Sequence, residues 1–188
     1  MENRFFVHES SIIDDNVEIG ENTKIWHFCH VQSGAKIGEN CSFGQNVNIS
    51  NNVKIGNGVK IQNNVSVYEG VELEDYVFCG PSMVFTNDLT PRAKYPKGRA
   101  GYKKTILHTG VTVGANATVV CGHDLGKWCM IAAGAVVTKN VKEYALMAGV
   151  PAVQIGWVCE CGHRLQESLI CPECGRKYEE HEDGLKEI

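Results

Sequence analysis

Residues 43–67 read FGQNVNISNNVKIGNGVKIQNNVSV. Phe43, Ile49, Ile55, Ile61 and Val67 recur every sixth residue, and four positions after the first four of them come Val47, Val53, Val59 and Val65. Three positions past those same anchors stand Asn46, Asn52, Gly58 and Asn64, residue types that tolerate positive φ. The unit is a short flat segment followed by a corner. Three units make a triangular coil, and stacked coils bury the anchors in a narrow core with backbones paired about 4.8 Å apart. Ordinary amphipathic strands alternate with period two and give no reason for Asn or Gly at a fixed offset.

The beat continues outward from this stretch. Toward the N-terminus it runs through Ile37, Val31, Ile25, Ile19 and Ile13 to Val7, and toward the C-terminus through Leu73, Cys79 and Phe85. It lapses across residues 86–106 and resumes at Leu107, Val113, Val119, Leu125, Ile131 and Val137. The second inward slot stays small except at Met83 and His123, and Asn or Gly fills the corner slot fourteen times, from Asn16 to Asn140. The 20 anchors predict an all-β parallel β-helix solenoid of six to seven coils. Phe5 and Phe6 are expected to plug its open lower end.

Composition narrows the function classes. Net charge is −4, yet residues 86–106 (TNDLTPRAKYPKGRAGYKKTI) carry Arg92, Lys94, Lys97, Arg99, Lys103 and Lys104 against Asp88 alone. One basic loop on an acidic body argues against a nucleic-acid binder and for focused recognition of a small polyanion. No apolar run approaches a membrane span and no signal-peptide pattern opens the chain, so a cytoplasmic protein is expected. Nine cysteines without such a signal fit a reducing compartment. Cys29, Cys41, Cys79 and Cys129 fall in core-facing slots.

A solenoid expels insertions as external loops, often at its binding face. Pro91, Pro96, Gly98 and Gly101 make residues 86–106 neither coil nor helix, and a loop of that length in a compact domain is usually functional. Coenzyme A and a nucleotide sugar both carry phosphates that suit its charge. Asn87 stands where the beat ends, off the usual turn position. His123 sits in a slot that otherwise takes small residues, and reads either as a satisfied corner residue or as a base. His27 lies off the core-facing positions and is expected to point outward. The small residues Ala115, Ala117, Ala133, Gly134 and Ala135 suit an extended pantetheine arm, although tight corners need small residues in any case.

The segments Ile25-Trp26-His27-Phe28-Cys29-His30-Val31, Met83-Val84-Phe85-Thr86-Asn87, Pro91-Arg92-Ala93, Gly114-Ala115-Asn116-Ala117-Thr118, Ala133-Gly134-Ala135-Val136-Val137 and Ala148-Gly149-Val150-Pro151-Ala152 resemble the hexapeptide-repeat acyltransferases over roughly residues 7–158. The first three are most similar to N-acetyltransferases of nucleotide-linked 3-amino sugars. Among these, the UDP-2-acetamido-3-amino-2,3-dideoxy-D-glucuronate N-acetyltransferases of bacterial surface-polysaccharide (lipopolysaccharide-type) pathways come nearest. The resemblance implies a left-handed helix, a homotrimer with active sites between subunits, and acetyl-CoA as co-substrate. It implies that Asn87 positions the amine; His123, from its misfit slot in the repeat, is the second catalytic candidate. His27 by its outward position, His108 by its place after the loop, and Arg92 and Lys103 by the loop's charge are the candidate substrate-binding residues. The sequence departs from the subgroup at Leu107-His108-Thr109 and at Val153, where relatives carry basic residues. A dTDP-3-amino-3,6-dideoxyhexose acceptor is the main alternative, and a non-catalytic scaffold a further one. A γ-type carbonic anhydrase on this fold is disfavoured because its His-x4-His element is missing.

Beyond the acyltransferase region at residues 1–156, residues 157–178 read WVCECGHRLQESLICPECGRKY. Cys159-x-Cys161 and Cys171-Pro-x-Cys174 stand nine residues apart, a spacing suited to a structural zinc ribbon with four thiolates and no open position. His163 is an alternative ligand in the first, tighter knuckle, and iron an alternative metal. The ribbon is expected to cap the prism or bind a partner. The acidic residues 179–188 are expected to fray.

Overall fold

The computed structural model describes residues 5–188. Its strands are mostly two residues long and lie on three faces of a triangular prism, each residue pairing in parallel with one 18 positions away (Lys24↔Ser42, Glu18↔Lys36, His30↔Asn48). The first face stacks eight parallel strands, from Phe6–Val7 to Ala145–Ala148, one coil more than the sequence predicts. The extra coil comes from a shortened turn: Met130 pairs with Leu146, short of the usual offset, so the regular beat misses it. Val153–Trp157 then folds back antiparallel on Ala145–Ala148.

The anchors are inside. Ile25, Phe43, Ile49, Ile61, Val67, Leu73, Phe85, Leu107, Val119, Leu125 and Ile131 are almost wholly buried, and so are the second-slot residues Val47, Val59, Val65 and Val77. Each such side chain contributes roughly 1.5–3 kcal/mol by leaving water. Cys29, Cys41, Cys79 and Cys129 lie in the same core; burial raises their thiol pKa values, that of Cys79 to about 12, so they are small hydrophobes and not nucleophiles. Thr23, fully buried in the core, donates to the Gly38 carbonyl at 2.8 Å and accepts from the Cys41 amide at 3.0 Å. Phe6 does not plug the lower end: it is 43% exposed and turns outward against Trp26, while Phe5 is half-buried. Strand alternation explains this, because Val7 takes the inward position of that pair.

Asn and Gly do turn the corners, with φ near +60° at Asn16, Asn22, Asn40, Asn46, Asn52, Asn64 and Asn116. Asn140 is the exception, and its side-chain oxygen instead accepts the Asp124 amide at 3.1 Å. Phe28, Tyr76, Ser82 and Trp128 take the same left-handed conformation at corners where the sequence gives no such signal. For Trp128 the compensation is visible: its ring lies over Gly110, where a Cβ would overlap the indole. The acidic tail is not frayed. Tyr178–His181 and Gly184–Glu187 form an antiparallel hairpin whose Leu185 is fully buried.

Candidate active site

The ladder breaks where the beat does. Val71 pairs with Thr105 and Leu73 with Leu107, nearly twice the usual offset, so the segment between Phe85 and Thr105 leaves the prism between the second and third faces. The second face is itself split into two sheets, one ending at Ser66–Val67 and the next starting at Val84–Phe85, the strand that feeds the loop. The loop's neck is closed by a bond from the Lys103 amide to the Asn87 carbonyl at 2.9 Å. Thr86 holds the coil above by accepting the Cys121 amide on its hydroxyl at 2.9 Å.

Inside the loop, charge is organised in pairs. Lys97 bonds Asp88 at 2.6 Å and the Thr90 carbonyl at 2.9 Å, and this ammonium contact holds the Asp88 carboxyl below its usual pKa. Arg99 reaches Glu69 at 3.0 Å and Lys104 reaches Glu72 at 3.1 Å, fastening the loop down onto the lower coils. Between loop and prism lies a cleft of about 370 Å³ lined by Asn52, Lys54, Glu69, Arg99, Tyr102 and Lys104 among others. Arg92, Lys94 and Lys103 have no carboxylate partner among the described residues, and the Lys94 ammonium lies 5.7 Å from the Tyr95 ring centre. The acidic partners Glu69 and Glu72 escape a sequence reading: Glu72 and Lys104 are distant in the chain and meet only because the loop between them is expelled.

Asn87 is half-buried, and its side-chain amide makes no hydrogen bond within the described residues, so both amide groups are open to a ligand. His123 is on the coil directly above the neck. The stem of Lys103 approaches Gly122 at 3.6 Å from where a Cβ would stand, and the Gly122 amide bonds the Lys104 carbonyl. His123 is half-buried instead of sealed in the core slot that the repeat assigns it. Asn87, Lys103 and His123 thus share one edge of the prism, with Arg92 on the exposed outer part of the loop.

The other expected site residues are elsewhere. His108 is on the third face, where its Nδ1 lies 2.9 Å from Glu74; the same carboxylate accepts the Thr109 amide and hydroxyl. Burial tends to raise the Glu74 pKa, but the His108 and Thr109 hydrogen bonds outweigh it and hold the carboxyl below its usual value. His27 is on the corner between the first and second faces, its ring stacked on His8 at 3.5 Å. That position is three coils below Asn87, about 14 Å along the axis at the strand spacing, so one chain does not bring the two together.

Ala115, Ala133 and Gly134 lie on the same first–second corner in the upper coils and are open or half-open to solvent. Ala117 and Ala135 correct the expectation of a five-residue coenzyme surface. Both are sealed in the core, the Ala117 carbonyl accepts the Val84 amide and the Ala135 carbonyl accepts the Thr118 amide, leaving them nothing to offer a ligand. Between this corner and Asn87 runs the outer surface of the second face, where Val84 is 46% exposed.

At the C-terminal end, the sulfurs of Cys159, Cys161, Cys171 and Cys174 all lie within 4.8 Å of one another. His163 stands beside Cys161 at 3.5 Å but outside that cluster.

Comparison with known proteins fits this architecture. Residues 16–51 match the bacterial transferase hexapeptide (six repeats), and residues 34–69 and 109–139 match the hexapeptide repeat of succinyl-transferase, stopping on either side of the loop. The chain is 41% identical over 183 residues, 96% of its length and 93% of the relative's, to the dTDP-3-amino-3,6-dideoxy-alpha-D-galactopyranose 3-N-acetyltransferase of Aneurinibacillus thermoaerophilus. Two solved structures share the fold. One is a hexapeptide-repeat acetyltransferase from Vibrio cholerae in complex with acetyl coenzyme A (TM-score 0.55, 23% identity, 66% of this chain and 70% of that one). The other is a mutant N-acyltransferase from Bacillus cereus with dTDP and coenzyme A (TM-score 0.51, 18% identity, 81% and 82%). The prism, its single large lapse and the near full-length relative together mean that the chain belongs to the hexapeptide-repeat acetyltransferases and is an acyltransferase.

Proposed function

We propose that this acyltransferase moves the acetyl group of acetyl-CoA onto the 3-amino group of a sugar carried on a nucleoside diphosphate, at the edge formed by Asn87, Lys103 and His123. The observation that carries the reading is the 41% identity, over 96% of the chain, to a relative whose name specifies a nucleotide-linked 3-amino sugar and the 3-N position. The uncommitted amide of Asn87 at the loop neck supports it, as do the three loop cations without acidic partners.

In this reading the Asn87 side-chain oxygen accepts one N–H of the neutral amine and aims the nitrogen lone pair at the thioester carbon. Orientation of this kind replaces a bimolecular encounter and supplies much of the rate. The N–C bond forms as the C–S bond breaks. The coenzyme leaves as a thiol after taking up, directly or through His123, the proton the nitrogen sheds. Ala115, Ala133 and Gly134 line the path of the pantetheine arm along the open corner, and Arg92 and Lys103 meet phosphates.

His27 joins the sugar site from a second subunit. A homotrimer with sites between subunits brings the first–second corner of one copy to the loop of the next, and the exposed aromatics Trp26 and Phe28 beside His27 suit such a contact. No helix among the described residues is long and apolar enough to cross a membrane.

The acceptor favoured by the relative is a dTDP-3-amino-3,6-dideoxyhexose. A UDP-linked 3-amino uronate of surface-polysaccharide synthesis is the second reading, favoured by Arg92, Lys94 and Lys103, which can meet a 6-carboxylate. A thiol-release assay with acetyl-CoA across UDP- and dTDP-linked 3-amino sugars tests both. Fastest turnover is expected with the dTDP-6-deoxy sugars. Faster turnover of the uronate selects the second reading, and no release with any 3-amino sugar nucleotide overturns both.

A further inference from the structure

The solenoid ends in a second site that acetyl transfer does not use. Cys159 and Cys174 are 3.5 Å apart, as are Cys161 and Cys171, and all four sulfurs fit within 4.8 Å. A tetrahedral zinc with Zn–S bonds of about 2.3 Å spaces its sulfurs about 3.8 Å apart, close to this arrangement, whereas a disulfide needs about 2.05 Å. Each knuckle is already turned by its backbone: the Cys159 amide bonds the His163 carbonyl and the Cys171 amide bonds the Arg176 carbonyl, both at 2.8 Å. Outer groups are in place as well. Tyr178 Oη lies 3.1 Å from Cys159 Sγ, and Arg176 donates to Cys174 Sγ at 3.4 Å.

Around these thiols a small core forms from Tyr144, Leu165, Tyr178 and Leu185, with Trp128 and Trp157 packed against it. Tyr144 and Trp128 belong to the last coils, whereas Tyr178 and Leu185 belong to the C-terminal hairpin. The hairpin is also fastened directly. The Glu143 amide bonds the Asp183 carbonyl at 2.9 Å, Lys142 bonds the Glu182 carbonyl at 3.0 Å, and Gly184 bridges Glu143. Gly184 has φ +138°, and a Cβ there would collide with the Glu143 carbonyl, so the approach requires glycine. Fewer than about 40 residues seldom hold a core without a metal or disulfide.

We propose that Cys159, Cys161, Cys171 and Cys174 bind one Zn²⁺ with all four positions filled, and that this site is the latch holding the hairpin over the last coil. Zinc loading releases four thiol protons to solvent and leaves the centre with a charge of −2, which the Arg176 guanidinium partly offsets. Arg176 also ion-pairs with Glu187 of the hairpin at 3.4 Å, so metal centre and hairpin share a counter-ion.

Metal analysis of the full chain, purified without chelator from zinc-supplemented cells, is expected to give one zinc per chain. Stripping it with a mercurial reagent and chelator should quicken amide exchange in residues 142–145 and 178–187 by at least about tenfold, with residues 43–67 unchanged. The variant C171S/C174S should reproduce that pattern, and the stripped wild type keeps the test valid if the variant does not fold. Absence of metal, iron in place of zinc, thiols recovered as Cys159–Cys174 and Cys161–Cys171 disulfides, or unchanged hairpin exchange after stripping would each overturn the proposal.

Discussion

Residues 43–67 and residues 86–106 are close neighbours in the chain and obey different rules. In the first stretch every sixth residue is buried, and the backbone pairs in register with neighbouring coils up to Ser66–Val67, the edge strand of its sheet. In the second, every residue from 89 to 100 is exposed, and ion pairs such as Arg99–Glu69 and Lys104–Glu72 hold the segment in place. Burial supplies the fold's stability and repeats itself, so it tolerates little chemistry. The loop leaves the polar side-chain groups of Asn87, Arg92 and Lys103 without a hydrogen-bond or ion-pair partner among the described residues, although the backbones of Asn87 and Lys103 close its neck.

The sharpest way to break this contrast is by truncation. Phe43→Ala should cost about 3–5 kcal/mol of unfolding free energy, since it empties a fully buried slot, whereas Arg99→Ala should cost less than about 1 kcal/mol. Urea denaturation of the two variants checks both, and comparable losses would mean that the loop is a structural element. Next in size, Asn87→Ala should lower kcat by about 10²-fold while leaving the KM for acetyl-CoA within about threefold. Near-normal turnover would remove Asn87 from the site.

A smaller effect should appear at the junction of the two regions. The Glu74 carboxyl is held below its ordinary pKa by His108 and Thr109, so its network stabilises the fold above that ordinary value and loses the contribution as pH falls through the lowered folded value. Glu74→Gln should therefore melt lower than wild type near neutral pH, and the gap should close in acid. A gap independent of pH would mean that the carboxylate charge does not matter.

How far the sequence could be read follows the same division. The anchors and most corners were legible because core burial and positive φ each restrict residue type. Phe28, Tyr76 and Trp128 were not, since bulky residues in the left-handed region violate local preference; for Trp128 the compensating contact is a glycine one coil below. The hairpin at 178–187 reads as a frayed acidic tail because its composition is that of solvent-facing chain, and only Tyr178, Gly184 and Leu185 in it are buried. Asn87 stood out because the beat stops beside it. The core burial of Ala117 and Ala135 was legible, since both fall in the inward slot of the repeat; the ties of the loop to Glu69 and Glu72 were not, because they depend on how the loop is expelled from the prism.

Excising residues 88–103 tests most directly whether the site resides in the lapse. The deletion restores to the Val71–Thr105 pair the offset that the other coils keep. The variant is predicted to keep the β-sheet circular dichroism and a cooperative melt, and to show no acetyl transfer to any 3-amino sugar nucleotide. A folded variant that still turns over at a rate near wild type would contradict the account.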